Sequence, residues 1–360
     1  MDKRQRIIRR LRIIMPIVGL VTAIAIPPWD IFLPWMAPLP DTVQQEVEGA
    51  LDHGLDGIVV HVDRAGEAPA FYAAGWKDKA AEVPADPQAL FKIGSITKLY
   101  VAAAVAKLAH AGTLPLDSTL ADHLPELVGR IENADRITVR MLVQHRSGIP
   151  NYSDDEAWDW LAPPPDEDAS LALILDDPAD FEPDARSRYS NTNYLLLGRI
   201  LDLVLGYDYT RYIRSDILDP LDLTDTYFAV DEVPLDHLAS GYWYGYDDDL
   251  KGQRGGRNTA GSMIATARDT AVFVRALNDG SLLNDEEQAI YASIYEYGHT
   301  GWVPGYYSIA RYHEDIDAVV VQFVSNTGGE TWGLAVVTGG KATGLAHAVY
   351  GRIVRILRRQ

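Results

Sequence analysis

The spacing of apolar and polar residues near the start of the chain predicts one helix, two strands and a second helix. TVQQEVEGALDHG has helical spacing and predicts a helix that ends at Gly54. Two apolar runs follow, GIVVHV over 57–62 and AFYAAGW over 70–76, and the glycine between them predicts a turn that joins two strands. A long apolar run then predicts a buried helix over Ser95–Gly112.

The middle of the chain has a different pattern, which predicts a mostly helical insertion. Short stretches with helical spacing recur there, including STLADHLPEL, TVRMLVQH and YLLLGRILDLVLGYDYTRYIRSDIL. APPPDEDA and YGYDDDLKGQRGG contain prolines, glycines and charges, and they predict surface loops.

Helices and strands return after about Asn258. TARDTAVFVRALNDG predicts a helix, while YGHTGWVPGYYSIARYH, DAVVVQFVSN and GLAVVTG predict three strands, and ATGLAHAVYGRIVRILRRQ predicts a final helix. Strands at both ends of the chain, with helices between them, predict an α/β (α+β) fold. In it, helices flank one antiparallel sheet that is built from both chain ends.

These boundaries predict three parts. Residues 1–40 form an N-terminal signal or anchor segment and a linker. Residues 41–112 and 256–360 together form the α/β subdomain with the antiparallel sheet, and residues 113–255 form the helical subdomain. We expect the active site between the sheet and the helical insertion.

The N-terminal segment has the pattern of a targeting signal. Residues 1–12 contain six lysines and arginines, and Ile13–Trp29 follows with no charge in 17 residues. We expect this segment to remain as a membrane anchor, which would make the protein exported, at the cell surface or in the periplasm. Two alternatives stay open: a cleaved signal peptide, with small-residue sites ending at Ala23 or Ala25, and a buried helix of the fold.

Charge and cysteine content exclude several function classes. The formal net charge is −19 although the first residues are basic, and an acidic body argues against nucleic acid, whose binding needs lysines and arginines that neutralise phosphates. The sequence contains no cysteine, which excludes disulfides, a cysteine nucleophile and thiolate metal ligands. We expect no metal and no cofactor. The partner is a small-molecule or peptide substrate, and the sequence leaves the oligomeric state open.

Ser95 and Lys98 stand at the head of the apolar helix and are three residues apart, so they share one helix face. A serine hydroxyl is a poor nucleophile until a base takes its proton. Burial favours the neutral form of a lysine amine, and a neutral amine can be that base. The alternative is structural: Ser95 caps the helix and Lys98 points outward.

Two later stretches contain side chains that suit the same chemistry. In RYSNTNYLLLG, Tyr189 can relay protons near a lysine, and Asn191 can hold both a substrate carbonyl and the lysine. In GHTGWVPGYY, Gly301 indicates a close approach, and the next backbone N–H can pair with that of Ser95 as an oxyanion hole. The alternatives are a core tyrosine with a capping asparagine, and a strand that turns at Gly301 and Pro304.

Ser-x-x-Lys, Tyr-x-Asn and His-Thr-Gly, in that order, resemble the motif set of the penicillin-recognising serine hydrolases. The sequence resembles the branch with class C β-lactamases, D-alanyl-D-alanine carboxypeptidases and related esterases and D-aminopeptidases. FKIGSITKLYVAAAVAKLAHAGTLPLDSTLADHLPEL, ITVRMLVQHRSGIPNY and AGSMIATARDTAVFVRAL also look like segments of this family. The resemblance covers about Val43 to Tyr350.

The resemblance implies a β-lactamase/transpeptidase-like fold and acyl transfer through an acyl-enzyme, without metal or cofactor. It implies that Ser95 is the acylated nucleophile and that Lys98 is its proton partner. Tyr189 would be the general base and acid that also activates the deacylating water.

The resemblance also implies a substrate-binding set. Asn191 would position the substrate amide, while His299 and Thr300 would line the far wall and hold a leaving group or carboxylate. The N–H groups of Ser95 and Trp302 would form the oxyanion hole beside Gly301.

Departures from the family pattern bear on the substrate. His299 stands where typical class C β-lactamases have lysine, Trp302 is bulky where many relatives have a small residue, and residues 284–298 contain no arginine that would bind a carboxylate. These points argue against a carboxypeptidase. They leave open a β-lactamase, a carboxylesterase and a D-aminopeptidase-like amidase. A non-catalytic β-lactam or peptidoglycan sensor is the alternative of another class.

Two further hypotheses concern histidine and arginine. His299 would make the activity pH-sensitive if its pKa stayed near its ordinary value of about 6.5. The last helix carries arginines at positions 352, 355, 358 and 359 between apolar residues. We expect its apolar face to dock on the sheet, and the alternative is that the helix lies on anionic lipid.

Overall fold

The structure is a computed structural model, and it describes residues 12, 14–16, 18–19, 36–253, 256–329 and 340–360. Its strands are β1 (Gly57–Arg64), β2 (Ala70–Asp78), β3 (Val83–Pro84), β4 (Phe91–Lys92), β5 (Thr226–Tyr227), β6 (Tyr242–Trp243), β7 (Ile264–Ala265), β8 (His299–Val303), β9 (Tyr306–His313), β10 (Ala318–Val324) and β11 (Asn326–Thr327). Its helices include α1 (Val43–Gly49), α2 (Thr97–His110), α3 (Leu120–His123), α4 (Val139–Val143), α5 (Glu167–Ala172), α6 (Asn191–Leu205), α7 (Tyr209–Ile213), α8 (Ala267–Asp279), α9 (Asp285–Ile294) and α10 (Lys341–Leu357).

An antiparallel sheet of six strands, in the order β3-β2-β1-β10-β9-β8, joins the two ends of the chain. β1 and β10 form its centre, and both are apolar on both faces, as expected for strands that are covered on each side. One core lies between the sheet and α2, α6 and α8, and a second lies between the sheet and α1 and α10. The predicted fold class is therefore confirmed.

Two of the predicted elements differ in the structure. YGHTGWVPGYYSIARYH forms two paired strands, β8 and β9, because Pro304 lacks a ladder donor and Gly305 turns the chain with a φ of 85°. The predicted helix does not start at Ser95: a 3-10 turn over Gly94–Ile96 precedes α2. GLAVVTG lies outside the described residues.

The middle of the chain contains α3 to α7, joined by long irregular segments and the short strands β5 and β6. The division of the chain at residues 112 and 256 stays a prediction.

The last helix, α10, packs its apolar face against the sheet, as expected. Arg352 is only 6% exposed, and its guanidinium donates to the Glu46 carboxylate at 2.6 Å and to the Pro38 carbonyl at 3.0 Å. Arg358, one turn from the end, pairs with Asp315 at the surface. The two arginines therefore tie α10 to different parts of the α/β layer.

The predicted N-terminal anchor is wrong, and so is the exported, membrane-anchored localisation that depended on it. Within the part of the chain that the structure describes, no helix has the length and apolar character needed to cross a bilayer. Most of Ile13–Trp29 lies outside the described residues. Its uncharged run of 17 residues is also shorter than the roughly 20 apolar residues that a spanning helix needs.

Candidate active site

Ser95 lies in the 3-10 turn that leads from β4 into α2. Gly94 has a φ of 53°, which suits glycine, and lets the backbone turn sharply just before Ser95. Neither Ser95 nor any other side chain caps α2, and Lys98, on its first turn, is 0% exposed. The structural alternative, a serine cap with an outward lysine, does not describe this site.

The Lys98 ammonium position has three polar neighbours. Nζ lies 3.2 Å from Ser95 Oγ and 2.9 Å from Asn191 Oδ1, and it also donates to the Ala260 carbonyl. No carboxylate pairs with it within the described part of the chain. Burial without a counter-charge lowers the pKa of Lys98 well below its ordinary value, which favours the neutral amine.

Tyr189 approaches Ser95 from the other side. Its hydroxyl donates to Ser95 Oγ at 2.7 Å, and its ring centroid lies 4.8 Å from Lys98 Nζ. Desolvation raises the pKa of Tyr189, whereas the hydrogen bond with Ser95 acts in the opposite direction. The residue is 41% exposed, so solvent screening limits the rise in its pKa. The phenol is therefore protonated near neutral pH.

His145 supports Tyr189, and the sequence analysis assigned it no role. Its ring lies 4.4 Å from the Tyr189 ring, and its Nδ1 accepts a hydrogen bond from the Ser190 backbone at 3.2 Å. Burial, with the nearby Lys98, lowers the pKa of His145 to about 3, so the ring is neutral. The only sequence signal was its place in ITVRMLVQHRSGIPNY, a stretch that resembles the family.

The segment that follows His145 fixes Asn191. The Asn191 backbone N–H donates to Asn151 Oδ1 at 2.9 Å, and its side-chain amide donates to Ser153 Oγ at 3.0 Å. The amide nitrogen is thereby held by Ser153, which directs the amide oxygen to Lys98. Asn191 thus orients the lysine and does not cap α6, whose N-cap residue is Ser190.

β8 comes close, at Gly301, to the turn that carries Ser95. A Cβ at Gly301 would collide with the Ile93 carbonyl, and a Cβ at Gly94 would lie 2.8 Å from the Trp302 backbone nitrogen. The Trp302 N–H therefore lies directly beside the turn that carries Ser95. This geometry allows the N–H groups of Ser95 and Trp302 to face one carbonyl oxygen.

His299 is buried, with 8% of its surface exposed. Its ring stacks on Tyr295 at 5.9 Å, and Nε2 lies 3.3 Å from a Glu296 carboxylate oxygen. Burial lowers the pKa of His299 to about 4. The hypothesis of pH-sensitive activity near pH 6.5 is therefore wrong for this residue, because it is already neutral there.

Thr300 and His299 are neighbours on β8, so their side chains point to opposite faces of the sheet. Thr300 interacts with the phenol of Tyr307 on β9, and this interaction tends to lower the pKa of Tyr307. The structure thus brings together Ser95, Lys98, Tyr189 and Asn191, with His299 beside them. It does not bring the Thr300 side chain to the same face as His299.

A cleft opens beside Ser95, with an empty volume of about 1080 Å³ that includes solvent at its mouth. Ser95, Asn191 and Trp302 line it, and so do aromatic residues that the sequence analysis missed: Tyr152, Trp158 and Trp160. Pro163, Pro164 and Glu167 also line it, although APPPDEDA was predicted to be a surface loop. The signal that was overlooked is the tryptophan pair in AWDWLAPPP, because exposed loops rarely need two large apolar rings.

A metal site is not found in the part of the chain that the structure describes, since no group of three or more His, Asp or Glu side chains there could hold an ion. Among the described residues, the chemistry near Ser95 rests on hydroxyl, amine, amide and backbone N–H groups.

Comparisons with known proteins find a matching family model and several relatives. The family model described as Beta-lactamase matches residues 39–293. Protein flp of Staphylococcus aureus (strain COL) is 30% identical over 212 residues, which are 57% of this chain and 42% of that protein. Penicillin-binding protein 4 of Amycolatopsis lactamdurans is 29% identical over 237 residues, which are 61% of this chain and 59% of that protein. The chain thus spans about half the length of the curated relatives it matches.

Solved structures share the fold. D-amino acid amidase from Ochrobactrum anthropi SV3, complexed with L-phenylalanine amide, matches with a TM-score of 0.74 and 22% identity over 88% of this chain and 97% of that one. A class C β-lactamase from Rhodobacter sphaeroides matches with a TM-score of 0.68 and 23% identity over 88% of this chain and 100% of that one. At these identities the likeness concerns the fold.

Proposed function

The chain belongs to the Beta-lactamase family, and on this basis we propose that it is a serine hydrolase that forms an acyl-enzyme at Ser95. The observation that carries the proposal is the hydrogen-bonded group of Ser95, Lys98 and Tyr189, in which the lysine is buried without a counter-charge. Burying a lysine without a carboxylate partner lowers the stability of the fold. A lysine that is nevertheless buried beside a hydroxyl is well suited to act as a base.

The contacts of Lys98 indicate where its lone pair points. A neutral amine has two N–H groups and one lone pair. Asn191 Oδ1 and the Ala260 carbonyl are acceptors only and take the two N–H groups. The third neighbour is Ser95 Oγ, so the lone pair of Lys98 faces the serine and can accept its proton.

Acylation then follows from this arrangement. Ser95 Oγ bonds to the substrate carbonyl carbon as the serine proton passes to Lys98. The carbonyl oxygen becomes an oxyanion, which accepts hydrogen bonds from the backbone N–H groups of Ser95 and Trp302. The bond to the leaving group breaks as the leaving atom takes the Tyr189 proton. The proton on Lys98 then passes to the Tyr189 oxygen, which restores both groups, because Oγ is now an ester oxygen.

Deacylation uses the same groups in the reverse roles. Water attacks the acyl carbon and gives its proton to Lys98, either directly or through the Tyr189 hydroxyl, and the second oxyanion is held by the same two N–H groups. The ester bond to Ser95 breaks and Oγ takes the proton back. The product is a carboxylic acid, and Ser95, Lys98 and Tyr189 return to their starting state.

The substrate class in this proposal is an amide, ester or β-lactam carbonyl. An esterase or D-aminopeptidase-like amidase is favoured over a carboxypeptidase by the absence of arginine in residues 284–298 and by Trp302, which fills the position beside the oxyanion hole. The shared fold with a D-amino acid amidase supports the amidase form, and the shared fold with a class C β-lactamase supports the β-lactam form.

The test combines turnover with covalent labelling. Hydrolysis of a 4-nitrophenyl ester and intact mass after incubation with a fluorescent penicillin are measured for wild type, Ser95→Ala and Ser215→Ala, an exposed serine outside the cleft. We expect Ser95→Ala to lose at least about a thousandfold in ester turnover and to take no label, while Ser215→Ala behaves as wild type.

Each result has a defined meaning. Undiminished ester turnover in Ser95→Ala would refute the serine mechanism. A label on wild type that persists for hours, with no ester turnover, would identify a sensor instead of an enzyme. Ester turnover without a penicillin label would assign the site to esters or amides.

A further inference from the structure

One wall of the cleft is made of four aromatic side chains in contact, which we call the aromatic strip: Tyr152, Trp158, Trp160 and Trp302. Their ring centroids are separated by 4.8 Å, 5.4 Å and 4.9 Å in that order. The Trp302 N–H lies beside the turn that carries Ser95, and Tyr152 lies near enough to Tyr189 to feel its charge, so both ends of the strip adjoin the proposed reaction centre. Its length suits a planar or extended apolar group of a substrate.

The aromatic strip gives the cleft an apolar surface. Trp158 and Trp302 are partly exposed, but their indole Nε1 atoms are buried and find no hydrogen-bond partner within the described part of the chain. The surface that these two rings offer to a ligand is therefore their apolar part. Such a surface binds aromatic and aliphatic groups, and its π-faces also attract cations.

Glu167 lines the same cleft and differs from its neighbours. Asp166 caps α5 by accepting from the Ala169 N–H, and Asp168 pairs with Arg199. The Glu167 carboxylate has no hydrogen bond or ion pair among the described residues, yet it is only partly exposed and lines the cleft. Its charge affects the Tyr152 phenol, so it lies near the end of the strip. A partly buried carboxylate without a partner favours a cationic ligand.

We propose that the aromatic strip and Glu167 form a subsite for a substrate that carries an aromatic group and an ammonium group. The subsite rests on the proposed function, because it assigns a substrate class to the cleft of that serine hydrolase. The aromatic group packs along Trp160 and Trp302, and the ammonium group pairs with Glu167.

Lys92, a cation that also lines the cleft, does not oppose this assignment. Lys92 Nζ donates to the carbonyls of Leu250 and Gln253 at 3.2 Å and 2.8 Å. Burial lowers the pKa of Lys92 to about 8, so a fraction of it is neutral at physiological pH. Its ammonium group is also held by hydrogen bonds to the loop that follows β6.

Binding should depend on pH in a defined direction. Burial raises the pKa of Glu167 to about 7, whereas Arg199 and Arg257 act to lower it. The groups that face it are Asp168 on α5, Arg199 and Asp202 on α6, Arg257, and the phenols of Tyr152 and Tyr209. An alkylamine stays protonated from about pH 5.5 to about 8.5. Its affinity therefore rises as pH increases through the pKa of Glu167 and the carboxylate ionises.

Calorimetric titration of the full chain tests the subsite with 4-phenylbutylamine and its neutral counterpart, 4-phenylbutanol. In wild type at pH 8 we expect the amine to bind about tenfold more tightly than the alcohol, as for a charge-assisted hydrogen bond. Glu167→Gln, which is nearly isosteric, should abolish this difference. Glu286→Gln, an exposed first-turn glutamate of α9, should retain it. Trp160→Ala should weaken both ligands.

The outcomes separate the subsite from the serine mechanism. Equal affinity for amine and alcohol in wild type, an amine preference that survives in Glu167→Gln, or no binding of either ligand would overturn the subsite. Penicillin labelling of the same samples reports on Ser95 independently. Labelling without an amine preference would refute the subsite alone, and an amine preference with no Ser95 chemistry would refute the proposed function alone.

Discussion

Burial decides the charge state of each titratable side chain around Ser95. Lys98 is enclosed and loses its proton more readily, while His145 and His299 are enclosed and stay neutral. A positive charge on Lys98 also acts to lower the pKa of both histidines. A neutral base beside a hydroxyl is the electrostatic outcome of this enclosure.

His145 is expected to be a positioning residue that acts through Tyr189. His145→Ala removes both the ring contact at 4.4 Å and the acceptor for the Ser190 N–H, so Tyr189 loses its orientation. We expect kcat for ester hydrolysis to fall by roughly 10- to 100-fold with little change in KM, because small displacements of a proton donor slow the reaction. Steady-state kinetics check this result.

A conservative variant separates positioning from stability. Asparagine tolerates the φ of 57° at position 145 and offers a side-chain acceptor, so His145→Asn should recover part of kcat. If His145→Ala lowers the melting temperature but leaves kcat unchanged, the residue is only structural.

The sequence predicted which residues come together better than it predicted their surroundings. Ser95, Lys98, Tyr189 and Asn191 were nominated from motif and spacing, and the structure places them within hydrogen-bond distance of one another. The pKa of His299 was not predictable, because its burial depends on Tyr295 and other residues distant from the motif. Ring stacking and burial are properties of packing that a linear pattern does not contain.

Among the elements, the contact between β8 and the turn that carries Ser95 sets the proposed oxyanion site. β8 is an edge strand of the sheet, and Gly301 is the position where it meets Ile93 and Gly94. β8 can approach Ile93 this closely only because Gly301 has no Cβ, so the glycine is needed for the contact between β8 and the turn that carries Ser95. It does not provide an unusual φ, since its φ is not positive.

Gly301→Ala should separate β8 from the turn that carries Ser95. The new methyl group would collide with the Ile93 carbonyl and Ser308 Oγ, and the strand must move outward. We expect kcat/KM for ester hydrolysis to fall by about 100-fold and the free energy of unfolding to fall by about 1–3 kcal/mol. Ester kinetics and urea unfolding measure the two effects.

Gly351→Ala in α10 is the matched control, because a Cβ there meets nothing within 4 Å. It should leave ester hydrolysis unchanged and add up to about 1 kcal/mol of stability, as alanine does in helices. Equal activity of Gly301→Ala and wild type would show that the close approach of β8 is not required.

The elements that the sequence mispredicted share a physical cause. The hairpin of β8 and β9 was predicted as one strand because both halves are apolar and the turn at Pro304 is short. Residues 162–169 were predicted to be a surface loop because prolines and acids fill this segment, whereas Pro163, Pro164 and Glu167 form part of the cleft wall. In both cases tertiary contacts, and not local composition, determine the structure.

For the whole molecule, the two ends of the chain meet in one layer. α1 near the start and α10 at the end pack on the same face of the sheet, and the active-site elements lie on the opposite face. This organisation was predictable because strands at both ends of a chain must pair to satisfy their backbone groups. The side chains that join the ends were not predicted, since the burial of Arg352 depends on Glu46, which is distant in sequence.

The ion pair of Arg352 and Glu46 is expected to hold α10 against α1. Both residues are 6% exposed, and their side chains are 2.6 Å apart. Arg352→Met would leave the Glu46 carboxylate buried without its partner, which should lower the free energy of unfolding by about 3–5 kcal/mol. Combining it with Glu46→Leu should restore most of that loss, because two apolar side chains can fill the space of a buried pair. Urea unfolding of the three proteins measures the effect.

Arg358→Met at the C-cap of the same helix provides the control for this prediction. Arg358 and Asp315 are also 2.6 Å apart, but their side chains are 46% and 52% exposed, so water replaces the lost partner. The helix and the type of substitution are the same, and only burial differs. If Arg352→Met were no more destabilising than Arg358→Met, the buried pair would not join the chain ends, and α10 would be held by its apolar face alone.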